Sequence, residues 1–340
     1  MRRRALLRFG LAALAALPLR AQSAAFVPYL KRDDVHEFID ALSARGDLSR
    51  HWIERAFARG RYLPAVERLM QPPIPFGQRN WREYRARYVE TRRIGEGVLF
   101  FDRHRATLQR AADEYGVPAG ITAAVLGIET HYGRMIGTFR TLDVLLTLSF
   151  DYLRRADYFR GELEQFLLLA RENRLDPLAV HGSFAGAIGI PQFMPSSIRR
   201  WAVDFDASGR IDLVGSVPDS IGSVANFLAG HGWQRDEPIL LAAALQPGAV
   251  IESFEPLAEP FGGIRADAPW SLLASVGVQA SAPLAPDTRV LLVDLPIIDA
   301  DGSQSHEYRI GTRNFAALLN YNRSYFYAAS VVELADAIAT

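Results

Sequence analysis

The residue in this sequence best placed to do chemistry is Glu129. It closes the stretch Ile121-Thr-Ala-Ala-Val-Leu-Gly-Ile-Glu129-Thr-His-Tyr132, which is followed by Gly133. Ile121, Val125, Ile128 and Tyr132 recur at helical spacing, so the stretch reads as a helix with a buried face, opened near Pro118 and capped at Gly133. No charge appears on it before Glu129. A carboxyl in such a setting is either paired with a cation or kept protonated by desolvation, and the second state is what a general acid requires near neutral pH. On these residues alone the alternatives stay open, a structural ion pair or a solvated last-turn glutamate being the plainer ones.

Two further stretches stand out. Gly182-Ser-Phe-Ala-Gly-Ala-Ile-Gly-Ile-Pro-Gln192-Phe-Met-Pro-Ser-Ser197 carries three glycines and two prolines. It lacks the Gly-x-Ser-x-Gly order of a nucleophile elbow and the Gly-Lys-Ser/Thr ending of a phosphate loop. Locally it reads as a glycine-rich contact between helices. The second stretch, Asp204-Phe-Asp206-Ala-Ser208-Gly-Arg210-Ile-Asp212, resembles a calcium loop. Asp204, Asp206, Ser208 and Asp212 supply oxygens at positions 1, 3, 5 and 9, Arg210 a backbone carbonyl, and the turn glycine falls at position 6. Position 12 is Gly215, and Asp219 comes too late to replace it without an adjustment of the loop. The stretch therefore reads equally as a weak structural site for Ca2+ or Na+ and as a plain Asx/Gly turn. No cofactor is required by anything else in the sequence.

At 340 residues the chain can bury a large core. With 38 basic and 38 acidic residues its formal net charge is zero, so no basic field for nucleic acid exists. Cysteine is absent, which removes disulfides, thiol nucleophiles, cysteine-ligated zinc and a lipid-modified N-terminal cysteine. Residues 2–8 are basic, residues 9–19 are apolar, and small residues follow at Ala21, Ser23, Ala24 and Ala25. This is the pattern of a signal peptide over 1–25. The apolar run is shorter than the roughly 20 residues a membrane span needs. A twin-arginine route is the minor alternative to the general export route. The expected product is periplasmic, with no membrane anchor.

The elements that must hold these residues are mostly helical. Helices are expected at 33–44, capped by Asp33 or Asp34, after Ser49 and after Pro64, followed by a rigid break at Gln71-Pro-Pro-Ile-Pro75. Residues 81–116, 157–172, 219–230 (capped by Asp219), a segment near 313 and 326–339 also read as helix. From Glu237 to Tyr308 short apolar runs, Ile239–Ala243, Val250-Ile251 and Val290–Val293, are separated by Pro, Gly and Asp. This predicts a small antiparallel sheet, with a helix at Trp270–Val276, inserted in a helical protein.

Taken together, these stretches resemble the lytic murein transglycosylases of the B type, which cleave peptidoglycan glycan strands. The resemblance rests on Gly127-Ile-Glu129-Thr-x-Tyr132-Gly133, Leu148-Ser-Phe-Asp-Tyr152 with Arg154-Arg155-Ala156, Gly182–Ser197, Ile221-Gly-Ser-Val-Ala-Asn226 and Tyr321-Asn322, and runs from about Val27 to the last helix. It implies a mainly α protein with a lysozyme-like helical core. The regions would be a signal peptide (1–25), an N-terminal helical region (26–110), the core (111–235), a small β region (236–310) and C-terminal helices returning to the core (311–340).

The resemblance makes Glu129 the single catalytic acid/base, acting on the bond between MurNAc and GlcNAc to leave a 1,6-anhydro end. Ser183 matches a position that contacts the MurNAc acetamido group. Tyr321 and Asn322 match the pair lining the cleft near the acid, Gln192 matches the glutamine of the family motif, Tyr84, Tyr158 and Tyr327 match further aromatics of the cleft, and Arg154 and Arg155 would face the acidic stem peptide. Phe227 stands where a tyrosine is common, so one hydroxyl contact is missing. Glycan strands are the implied partner, with cell-wall synthases as candidate protein partners; no further module is expected after Thr340. A hydrolytic muramidase on the same fold, using Glu129 with a second carboxylate or an ordered water, and a non-catalytic peptidoglycan scaffold are the alternative readings. Asp143, Asp151 and Asp157 lie downstream, but their spacing places none of them opposite Glu129.

Overall fold

The computed structural model describes residues 27–71, 79–251 and 268–339, so the export sequence and the Pro72–Pro75 break lie outside the described residues. Along the chain run α1 (Asp33–Ser43), α2 (Arg50–Phe57), α3 (Pro64–Leu69), α4 (Trp81–Tyr88), α5 (Thr91–Arg103), α6 (Arg105–Tyr115) and α7 (Ala119–Thr130). There follow β1 (Phe139–Arg140), α8 (Thr141–Phe150), α9 (Ala156–Glu172), β2 (His181–Gly182), α10 (Pro195–Trp201) and α11 (Val217–Gly230). The β region comprises β3 (Leu240–Leu245), β4 (Ala268–Pro269), α12 (Trp270–Ser275), β5 (Val278–Ala280), β6 (Arg289–Ile298) and β7 (Gln304–Gly311). Helices α13 (Arg313–Tyr321) and α14 (Tyr325–Ala339) end the chain.

Helix α7 is the axis of the molecule. It was expected to bury one face, but every residue from Gly120 to Ile128 is buried, and so is the whole of α8. A helix apolar on all sides can only be stable inside a protein, so other helices must wrap it. α14, α5, α6 and α11 pack around α7, while α9 and α3 pack on α8. One continuous apolar core joins Ile39 and Phe57 of the first helices to Val125 of α7 and Val331 of α14.

The five-stranded antiparallel sheet has the order β4-β6-β7-β3-β5. Side chains of β6 alternate between two cores, as a pleated strand requires. Leu291, Val293 and Leu295 enter the helical core, whereas Val290 and Leu292 join a smaller cluster with Ile310, Leu273 and Val278. The sheet is therefore built onto the helices rather than tethered beside them. Ile251 belongs to the small cluster but forms no strand.

Several local expectations change. Ser49 caps α2 as expected, accepting from the Trp52 N–H. Asp33 and Asp34 lie inside the first turn of α1, where they complement the helix dipole, and the cap position is Arg32. Ser216, not Asp219, caps α11 by accepting from the Asp219 N–H. Residues 81–116 break into three helices, because Glu90 caps a new one and the chain turns again at His104. α7 ends at Thr130, with His131 and Tyr132 both in the left-handed region (φ 53° and 58°) ahead of Gly133.

The Gly182–Ser197 stretch is not a helix–helix contact. It is an irregular loop held by the bridges Gly182–Ile188 and Ile188–Phe193, ending in α10. Its entry pairs with the chain after α7, Phe139 opposite Gly182. Gly137, at φ +91°, makes that approach feasible, since a Cβ there would stand 2.1 Å from the Gly182 carbonyl oxygen. Backbone cannot yield cheaply at that distance. Gly137→Ala is therefore expected to destabilise the protein by about 2–4 kcal/mol, read as a lowered melting temperature, and to lower activity through the displaced Ser183 loop.

Candidate active site

Glu129 occupies the last turn of α7, where the apolar helix reaches the edge of the core. The turn beyond it is fixed from several directions. The His131 and Tyr132 N–H groups close on the Gly127 and Leu126 carbonyls, at 3.1 Å each. The Thr130 hydroxyl donates to the Ile190 carbonyl at 2.8 Å, tying the helix end to the Gly182–Ser197 loop. Arg93 of α5 donates to the Gly127 carbonyl at 3.1 Å, with its guanidinium over the Tyr88 ring, and the Tyr132 hydroxyl donates back to the Arg93 carbonyl at 3.0 Å.

Among the described residues the carboxyl has one side-chain hydrogen-bond partner. The Tyr327 hydroxyl of α14 donates to Glu129 Oε1 at 2.6 Å. Glu129 retains some accessible surface, as a group that must meet a ligand does, yet protein crowds it closely enough that burial dominates its titration. Burial pushes its carboxyl up to about 7, and the Tyr327 hydrogen bond opposes that rise. At neutral pH a large fraction of Glu129 is thus protonated and able to donate.

Tyrosines enclose the acid. Tyr321 stacks on Tyr327 with centroids 6.3 Å apart, and its hydroxyl is engaged by the Pro191 carbonyl. Burial, and then the Glu129 charge, push the phenols of Tyr321 and Tyr327 well above the ordinary range, so both remain donors. Tyr84 of α4, packed on Phe326 and Tyr88, is raised by burial and also senses Glu129. The structure thus brings Tyr84, Tyr321 and Tyr327 together around Glu129.

The other expected residues occupy a wider ring. Ser183 accepts from the Ala185 and Ala187 N–H groups at 3.3 and 3.1 Å, so its own proton stays available to a ligand. Gln192, itself at φ 52°, donates to the Ile136 and Gly189 carbonyls and braces the loop. Phe227 is buried behind Tyr321, centroids 4.9 Å apart, and forms a wall rather than an open contact. Asn322 is exposed at the end of α13, while its backbone shapes the turn into α14. Tyr158 is half exposed with the Arg155 guanidinium 4.2 Å above its ring, and it lies within the field of Arg323. Arg154 is exposed beside them.

The candidate second carboxylates are engaged elsewhere. Asp143 is buried against Arg140 and the Arg61 N–H, Asp151 is held by Arg32 and Tyr29, and Asp157 is at the surface near Arg160. One buried carboxylate escaped the sequence reading. Glu162 of α9 accepts from the Ser196 N–H at 3.0 Å and its hydroxyl at 2.6 Å, anchoring the far end of the loop. Its position three residues after Phe159 on the buried stripe was the available signal.

In the acidic loop the chain makes the adjustment that brings Asp219 into play. Carboxylate oxygens of Asp204, Asp206 and Asp219 converge to within 4.8 Å of one another. Asp219 also accepts from the N–H groups of Phe205, Asp206 and Asp212. Asp212, expected as a ligand, is instead turned to the Val214 and Gly215 N–H groups and pairs with Arg210. Ser208 donates to the Arg210 carbonyl.

Residues 31–336 match the family model described as the transglycosylase SLT domain. The chain belongs to the lytic murein transglycosylases. It is 37% identical over 320 residues to the membrane-bound lytic murein transglycosylase B of Escherichia coli (strain K12), covering 92% of this chain and 84% of that one. The catenated lytic transglycosylase SltB1 of Pseudomonas aeruginosa superposes with a TM-score of 0.80 at 37% identity, covering 91% and 97% of the two chains. The Escherichia coli lytic transglycosylase Slt35 in complex with calcium gives 0.75 at 36%, covering 89% and 92%. This transglycosylase is an enzyme that cleaves the glycan strands of peptidoglycan, on a mainly α, lysozyme-like fold.

If Glu129 is the proton donor it must be protonated to act, and activity is then expected to fall as pH rises through the carboxyl's value. Tyr327→Phe removes the one interaction that holds this value down. The basic limb of kcat/KM should therefore move upward by about half a unit or more, with a lower maximum, in a pH–rate profile on isolated glycan strands.

Proposed function

We propose that Glu129 is the sole acid/base of the transglycosylase reaction. Protonated Glu129 donates to the glycosidic oxygen between MurNAc and GlcNAc, and the C1–O bond breaks. Glu129, now a carboxylate, takes the proton of the C6 hydroxyl of the same MurNAc as that oxygen attacks C1. A 1,6-anhydro end forms, the acid regains its proton and no water is consumed. The observation that carries this reading is a carboxyl raised to about 7 whose hydrogen-bond partner is a tyrosine rather than a second carboxylate. Glycosidases that use water or a covalent intermediate need two carboxylates. A tethered hydroxyl replaces the second one, since intramolecular nucleophiles reach effective concentrations of about 10⁵ M or more.

Around this centre, Ser183 would donate its free proton to the acetamido carbonyl that stabilises the cationic sugar. Tyr84, Tyr158 and Asn322 would line the glycan, and Arg154 and Arg155 would meet the stem-peptide carboxylates. The basic, apolar N-terminal segment would export the chain to the periplasm. Digestion of purified sacculi should release muropeptides one water lighter than reducing-end products and resistant to borohydride. Glu129→Gln should bind sacculi and release none; reducible ends from the native protein would instead mean hydrolysis.

The three converging carboxylates fit a hard cation such as Ca2+ or Na+, which prefers oxygen ligands. Asp204, Asp206 and Asp219 would hold it, and its contribution would be structural, fixing the chain between α10 and α11. Calcium should raise the melting temperature of the native protein and leave that of Asp206→Asn nearly unchanged; an equal rise in both would exclude the site.

A further inference from the structure

Among the described residues, none of the β region hydrogen-bonds to Glu129, yet the region is fastened to the two helices that carry Tyr84 and Tyr327. Arg309 on β7 pairs with Glu333 of α14 at 2.5 Å and with Glu307 of its own strand, and the Arg309 and Glu333 side chains are only 16% and 15% exposed. Glu333 also pairs with Arg85 of α4, so one carboxylate joins β7, α14 and α4. The Arg309 guanidinium lies 5.7 Å from the ring centroid of Trp81, the first residue of α4. Trp81, fully buried, packs on Phe326 at 5.5 Å, and Phe326 packs on Tyr84 at 5.4 Å. Phe326 is the residue before Tyr327. At the other end of the hairpin, Asn80 donates to the Ile298 carbonyl and Arg82 pairs with Asp299, both at 2.7 Å.

Part-buried ion pairs of this kind contribute little net stability relative to apolar packing, but they favour one arrangement, because removing one partner leaves the other without its counter-charge. We propose that Arg309 is a positioning residue for catalysis: from β7 it locks α4 and α14 together so that the Tyr327 hydroxyl rests on the Glu129 carboxyl. This rests on the reading of Glu129 as the acid. The titratable groups facing Glu129 are Tyr327, Tyr321 and Tyr84; those around Arg309 are Glu307, Glu333 and, one turn further along α14, Asp336, while Arg85 shares Glu333. Arg309 and Glu333 exert no direct influence on the titration of Glu129, which burial and Tyr327 determine.

That separation makes the test decisive. Arg309→Gln and Glu333→Gln remove charges of opposite sign. A long-range field would shift the basic limb of the pH–rate profile in opposite directions in the two variants. A loosened clamp weakens the Tyr327 bond in both, so both limbs should move upward, kcat should fall about three- to tenfold, and KM for glycan strands should change little. Arg309→Lys, which keeps the ion pair, should recover most of kcat and return the limb. Unmoved limbs in both variants, with only a lowered melting temperature, would reduce Arg309 to a structural role, and opposite shifts would also overturn the proposal. Should Arg309→Gln fail to fold, Glu333→Gln alone carries the test, because a field would lower its limb and a loosened clamp would raise it. The control is Glu129→Gln: turnover by that variant would defeat the acid assignment itself, an outcome distinct from failure of the clamp.

Discussion

A carboxyl near neutrality keeps its proton only where water is scarce, and the whole molecule is arranged to make one such place. Helix α7 is apolar until its last turn and enclosed on all sides, so that turn brings Glu129 to the core boundary, where protein crowds out much of its hydration. Left to burial alone the carboxyl would hold its proton more tightly still. The Tyr327 hydroxyl moderates that by stabilising the ionised form. On the proposed mechanism one group donates a proton and takes it back, which favours a carboxyl held between these two opposing influences.

That balance depends on two helix ends that are far apart in sequence and rigid in space. α7 is stopped by consecutive non-glycine residues in the left-handed region, a conformation that costs about 1 kcal/mol per residue and persists only where surroundings enforce it. The surroundings here are the Thr130–Ile190 bond, the Arg93 bond to Gly127 and the Tyr132–Arg93 bond. On the opposite side α14 is set by its packing against α7 and by the ion pairs to α4 and β7.

Much of this was legible in the sequence. An uninterrupted apolar helix ending in one glutamate, a glycine-rich loop and a change of texture after Glu237 located the half-buried Glu129 carboxyl, the loop and the sheet. Periodicity could not distinguish a helix buried on one face from one buried on all, because small residues such as Ala123 and Gly127 blur the stripe. It misplaced the cap of α11, since Ser216 and Asp219 are both good capping residues and only the loop geometry chooses between them. Tyr84 and Tyr327 were found only through the resemblance to a family, because no local pattern marks a residue that acts 198 positions away. Arg309, Arg85 and Glu333 left no trace at all: each is an ordinary charged residue whose meaning lies in long-range pairing.

On the proposed single-acid mechanism, the chemistry accounts for so much structure being devoted to placement. A second carboxylate would tolerate some error, since a water molecule can adjust its position between two groups. A hydroxyl tethered to the sugar cannot; its line of attack is set by the ring, and the acid must stand where both the departing oxygen and the C6 hydroxyl come within a hydrogen bond in turn. A mechanism without a second catalytic group would shift the burden from chemical functionality to geometry. A cross-linked pair of helices meets that burden better than a pair of mobile loops, and in the arrangement proposed above the sheet built onto those helices is the brace.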